Sequence, residues 1–200
     1  MMIPDLKELE FWPGSPPSPE SYPVTIEREG KLGYGFLSSD TKLRPVGWLG
    51  DRVTSIGDVP ASCIEKLFLA YEQGLIFSDG TAGFHVCEIC RGRKPFYTRN
   101  RVRAIVRWNG RKIELYGHGH YLIRCEQTVY MAPALLLHYI LHHRYKPPDQ
   151  FVKAVIEGGI LAADDLLFKP MRDPLTGDVV EVDDVVEVDC EGIRPPTIIR

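Results

Sequence analysis

The chain has no apolar run of the roughly 18 residues that a membrane-spanning helix requires, which argues against a helical membrane protein. Its opening residues, Met1-Met2-Ile3-Pro4-Asp5-Leu6-Lys7-Glu8, contain neither a basic segment leading into an apolar one nor a small-residue cleavage site. A cytoplasmic protein with no membrane partner is therefore expected. Net charge is also scarce: 24 basic side chains against 27 acidic ones leave −3 at pH 7, so the net basic character usual in nucleic-acid-binding domains is missing. Cysteine is sparse and odd in number, with five residues at 63, 87, 90, 125 and 190, which does not suit a disulfide framework. Gly30, Gly33 and Gly35 lack the strand-to-helix setting of a phosphate loop and read as turns.

What the chain does have is ordinary globular composition, 44% apolar and 26% charged over 200 residues, enough for one domain with a sizeable core. Residues 13–23 hold five prolines, which deny backbone donors and restrict their predecessors, so residues 1–23 read as an extended proline-rich arm. Residues 24–200 then form a single α+β domain. Val24–Arg28 alternates like a short strand. Asp58 followed by Pro60 predicts a helix start capped by Asp58, with Ile64, Leu67, Phe68 and Tyr71 on one face and an end near Gly74. Cys63, within that pattern, reads as a small buried side chain.

Asn109-Gly110 between two alternating runs predicts a hairpin with a type I′ turn, pairing Trp108 with Arg111, Val106 with Ile113 and Ala104 with Leu115. A second strand pair is predicted from Tyr121–Cys125 and Thr128–Tyr130, turning at Glu126-Gln127. Ala132-Pro133 is expected to open a buried helix that stops before Lys146-Pro147-Pro148, and Asp149 to begin another that Gly158-Gly159 ends. The expected fold is α+β: a small antiparallel sheet with a central Asn-Gly hairpin packed on two or three helices, plus a zinc knuckle.

Charge is unevenly placed. Residues 91–112 carry nine basic side chains and no acid, whereas residues 178–191 carry seven acids and no base. The acidic stretch contains a near-duplicate of six residues, 178–183 and 184–189, and reads as an amphipathic edge strand or bent hairpin. The two charged stretches can compensate each other within one domain.

The chemistry is concentrated in His85-Val86-Cys87-Glu88-Ile89-Cys90 and in His138, His142 and His143, which share one predicted helix. Two thiolates across a tight turn need two further donors to complete a tetrahedral zinc site. His85, on the same face of an extended segment as Cys87, and His138 are the chosen partners, giving His85, Cys87, Cys90 and His138. His142 competes, because positions four apart on a helix can chelate one metal. His118 and His120 offer another pair, but their glycine-flanked setting suggests a turn. Free thiols with hydrogen-bonded histidines are the bland alternative; a redox CxxC pair would need a strand-to-helix context.

Gly47-Trp48-Leu49, the HxCxxC segment, Tyr130-Met131-Ala132-Pro133, His138-Tyr139, His143-Arg144-Tyr145, Pro147-Pro148 and Phe151 resemble a family of bacterial proteins of unknown function, over residues 47–157. The resemblance implies a bacterial cytoplasmic origin. It also singles out His85, Cys87, Cys90, His138 and His143 over His142, tilting the fourth ligand to His138 and leaving His143 to brace the proline corner.

Three functions fit. The first is a binding or interaction protein whose zinc is structural; its partner is unknown, a protein being one candidate. The second is a metal-dependent hydrolase with water as the fourth zinc ligand and Glu88 as base. The third is a nucleic-acid module using Arg101, Arg103, Arg107 and Lys112 on phosphates, with Tyr97 and Tyr116 for stacking. The first is favoured, because the overall charge is too low for strong nucleic-acid binding and a glutamate between two cysteines is usually a solvated loop residue.

Overall fold

The computed structural model describes residues 5, 24–38, 41–77, 87–91, 103–117, 119–172 and 174–181. Most of the proline-rich arm, His85, His118, Arg101, Tyr97, and the acidic stretch beyond Glu181 lie outside these residues. The architecture is α+β, with three small sheets, four α-helices and one 3₁₀ turn among the described residues.

The fold is built on the antiparallel pair β6 (His120–Cys125) and β7 (Thr128–Pro133). Glu126, at φ 55°, turns the chain between them, as the sequence predicts. Both strands are dominated by large apolar residues rather than by strict alternation, so both faces are buried. Tyr121, Ile123, Tyr130 and Ala132 belong to the larger core, while Leu122, Val129 and Met131 belong to a second one. β3 (Lys42–Pro45) joins β7 in parallel, and the two-residue β8 (Gly159–Ile160) joins β6. The parallel strand was not foreseen from sequence.

On the larger-core side lie α1 (Ala61–Glu72), α3 (Leu136–His143) and α4 (Asp149–Glu157); the short α2 (Glu88–Arg91) comes between α1 and α3 in the chain. In α1, Cys63, Ile64, Leu67, Phe68 and Ala70 are buried at helical spacing. Its N-cap is Pro60, with no side-chain cap bond; Asp58, expected as the cap, instead lies 3.3 Å from Arg144 in an exposed ion pair. Ala132-Pro133 does not open α3. These residues finish β7, opposite Tyr121 and His120, and the helix begins at Leu136 after a tight turn in which Ala134 N–H donates to Gly119 O at 3.0 Å. In α4, Phe151 packs edge-on against Tyr130 with ring centroids 5.9 Å apart.

The hairpin β4 (Arg103–Trp108) and β5 (Arg111–Tyr116) has the predicted register, and both turn residues have positive φ, 46° at Asn109 and 77° at Gly110. It forms a sheet of its own rather than the centre of the larger one. α1 holds it in two ways. Arg111 lies over the Phe68 ring, 4.7 Å from its centroid, and pairs with Glu65 and Glu72 on either side. Tyr71 Oη donates to Glu114 O at 2.9 Å and accepts from Tyr116 N–H at 3.0 Å, closing two backbone groups of β5.

The second core is covered by β1 (Val24–Arg28), β2 (Lys31–Phe36) and β9 (Leu167–Pro170), in the order β1-β2-β9. Gly33 and Gly35, expected in turns, are central to β2. A Cβ at Gly33 would stand 2.3 Å from Phe168 Cε2, so the close approach of β9 requires glycine there. The acidic stretch enters this region: Leu32 N–H donates to Val180 O and Val180 N–H to Met171 O, both at 3.0 Å.

Gly110→Val is expected to lower stability by about 1–3 kcal/mol, because a β-branched residue is strained at positive φ. No atom lies within 4 Å of a Cβ built there, so the cost comes from the backbone alone. Chemical denaturation with an unchanged m-value would register it.

Candidate metal centre

Cys87 stands just before α2, and the first turn of that helix folds Cys90 back beside it. Cys90 N–H points at Cys87 Sγ from 3.4 Å, the kind of backbone donor that stabilises a thiolate. α3 supplies the nitrogens. Cys87 Sγ lies 3.2 Å from His143 Nε2, and Cys90 Sγ lies 3.4 Å from His138 Nε2 and 3.2 Å from His143 Nε2. The two Nε2 atoms are 3.1 Å apart. One ligand atom from each of Cys87, Cys90, His138 and His143 falls within 4.8 Å of every other, close enough to hold a metal ion.

Positions five apart on a regular α-helix point about 140° away from each other, so His138 and His143 should not share a face. They do because the last turn of α3 is wide. Arg144 N–H reaches back five residues to Tyr139 O, and Tyr145 N–H donates to the same carbonyl at 3.0 Å, with Arg144 in the left-handed region at φ 54°. His143 therefore swings toward the cysteines instead of bracing the proline corner. His142, which regular spacing favoured, is exposed and outside the donor group, although its ring lies 5.0 Å from that of His138. His120 is buried at the start of β6, in a strand rather than a turn, and is not among the clustered donors. His85 lies outside the described residues.

Burial disfavours the charged forms of Cys87 and His138. The Cys87 thiol is pushed up to about 12, mainly by desolvation, with Cys90 adding to the shift and the N–H groups of Cys90 and Ile89 opposing it. His138 is pulled down to about 3 by desolvation first, then by His143 and His142. Its Nδ1 is buried with no hydrogen-bond partner among the described residues. Two sulfurs and two imidazole nitrogens converge here, and each can offer a lone pair once the thiol protons are released. A bound cation would take up those lone pairs and supply the charge that makes thiolates affordable in a buried site.

The remaining candidates disperse. Glu88 is half-buried in the first turn of α2. Arg107 and Lys112 are exposed opposite each other on the outer hairpin face, with Ile105 opposite Glu114 beside them. Tyr116 is half-buried, and its backbone N–H is taken by Tyr71. Arg103 stands at the start of β4.

In metal-free protein, His138 stays neutral in the fold below the pH at which the unfolded chain gains a proton. The unfolded state then binds more protons, so stability should fall as pH drops from about 6.5 toward about 3. Urea midpoints of the chelator-treated protein across that range should show the loss, and His138→Gln should flatten it.

Residues 17–156 match the model of a family described as a domain of unknown function, DUF7919. No curated protein and no solved structure matches the chain. The family match covers well over half of the sequence, and the chain belongs to the DUF7919 family.

Proposed function

We propose that this protein is a bacterial, cytoplasmic binding protein that holds one structural zinc ion through Cys87, Cys90, His138 and His143 and acts through a protein partner. The observation that carries the reading is the donor geometry. Zinc–sulfur bonds of about 2.3 Å and zinc–nitrogen bonds of about 2.0–2.1 Å give tetrahedral edges of about 3.3–3.8 Å. The sulfur–nitrogen and nitrogen–nitrogen separations of 3.1–3.4 Å are within a few tenths of an ångström of such edges. Two soft thiolates with two imidazoles favour zinc over the hard cations that prefer carboxylates. Four protein donors fill the tetrahedron, which leaves no place for an activated water and argues against the hydrolase. Cys63 and Cys125 are free, as suits a reducing compartment.

Elemental analysis of untagged protein purified without chelator should find about one zinc per chain. X-ray absorption should fit two sulfur and two nitrogen neighbours; an oxygen ligand at about 2.0–2.2 Å would revive the hydrolase reading. Cys87→Ser or Cys90→Ser should cost several kcal/mol of stability, since metal binding in such sites is coupled to folding. His143→Ala should lose the metal and His85→Ala should keep it; the opposite pattern would restore His85 to the site.

A further inference from the structure

Asp5 is placed where it can govern the metal site from outside. Its Oδ2 accepts from Tyr145 Oη at 2.5 Å, and its Oδ1 accepts from Gly47 N–H at 2.8 Å. Tyr145 is fully buried and follows His143 by two residues. Its backbone N–H closes the wide last turn of α3 on Tyr139 O. Gly47 touches the other end of the same helix: a Cβ there would stand 2.7 Å from Leu136 Cδ1 and 3.4 Å from Tyr145 Cε1. One carboxylate thus ties the segment after β3 to the turn that aims His143.

We infer that Asp5 is a positioning residue for the metal centre, bracing Tyr145 so that the last turn of α3 stays wide and His143 Nε2 remains beside Cys87 and Cys90. The inference rests on the metal reading above. Two donors, a tyrosine hydroxyl and a backbone N–H, converge on Asp5, and each needs its own acceptor. A carboxylate offers two; an asparagine offers one oxygen and turns an NH₂ group toward the other donor. Without the brace, the turn must be ordered by the metal itself, and binding weakens by the free energy of that ordering. Linkage makes the effect reciprocal: metal binding favours the docked position of Asp5.

The test is zinc affinity, measured by competition with a chromophoric chelator, for wild type, Asp5→Asn, Tyr145→Phe and the double variant, at a temperature where circular dichroism shows each to be folded. Each single variant should raise the zinc Kd about tenfold, the low end of the range for residues that orient metal ligands. The double variant should raise it no further than the larger single effect, because both substitutions break one contact. Gly110→Val, destabilised at the far hairpin turn, should retain wild-type affinity and so separates bracing from general loss of stability. Tyr145→Phe keeps the buried ring and covers the case in which Asp5→Asn fails to fold. Wild-type zinc affinity in folded Tyr145→Phe, or fully additive effects, would overturn the brace while leaving the metal reading intact. Wild-type protein that binds no zinc would overturn the metal reading itself, and the brace with it.

Discussion

The β6–β7 ladder has no solvent-facing side, and this constraint organises the molecule. Tyr121, Ile123, Tyr130 and Ala132 require a helical cover on one face, and Leu122, Val129 and Met131 require a second layer on the other. A lone hairpin is marginal in water, but one buried on both faces gains from each layer that docks on it. α4 packs on β6 and against α1, while α3 leaves directly from the end of β7. The direction in which α3 sets out, and hence where its histidines arrive, follows from how β7 ends.

The candidate metal centre draws on both ends of that helix, with His138 in its first turn and His143 at its last residue. Cysteines from a short helical turn and histidines from a buried helix come from parts of the chain about fifty residues apart, so neither segment makes the site alone. Two different kinds of order meet there. The histidine side is held by packing, with Leu136 to Ile140 buried, whereas the cysteine side is held by a turn whose second thiol, Cys90, is exposed. The site is buried at His138 and open at Cys90, which makes the latter the natural point of approach for an exchanging ligand or chelator.

Local chemistry made much of this legible. Asn109-Gly110 specified a turn and a register, Pro148 and Gly158 bracketed α4, and the CxxC pair with His138 marked one corner of the donor group. The features that escaped the sequence depend on distant partners. Ala132-Pro133 resembles a helix start until His120 and Tyr121 are seen to pair with it, and Gly33 resembles a turn until Phe168 packs on it. His143 is the instructive case. Regular helical spacing favours His142, and only a backbone bond from Arg144 to Tyr139 reverses the choice. The family resemblance pointed to His143, but not to its place among the donors. Nothing local marks Asp5, whose two partners are 42 and 140 residues away.

The sheet β1-β2-β9 draws its strands from opposite ends of the described sequence, with Gly33 facing Pro170 and Leu32 bonded to both Met171 and Val180. The hairpins β4–β5 and β6–β7 can close as soon as they emerge from the ribosome, whereas this sheet cannot be completed until residues near 170 have been made. Until then Val24 and Ile26 lack part of their cover, and one face of the central ladder stays wet. In chain order this sheet is completed late, so β2 presents an open strand edge until β9 has been made, the kind of edge that a chaperone can cover.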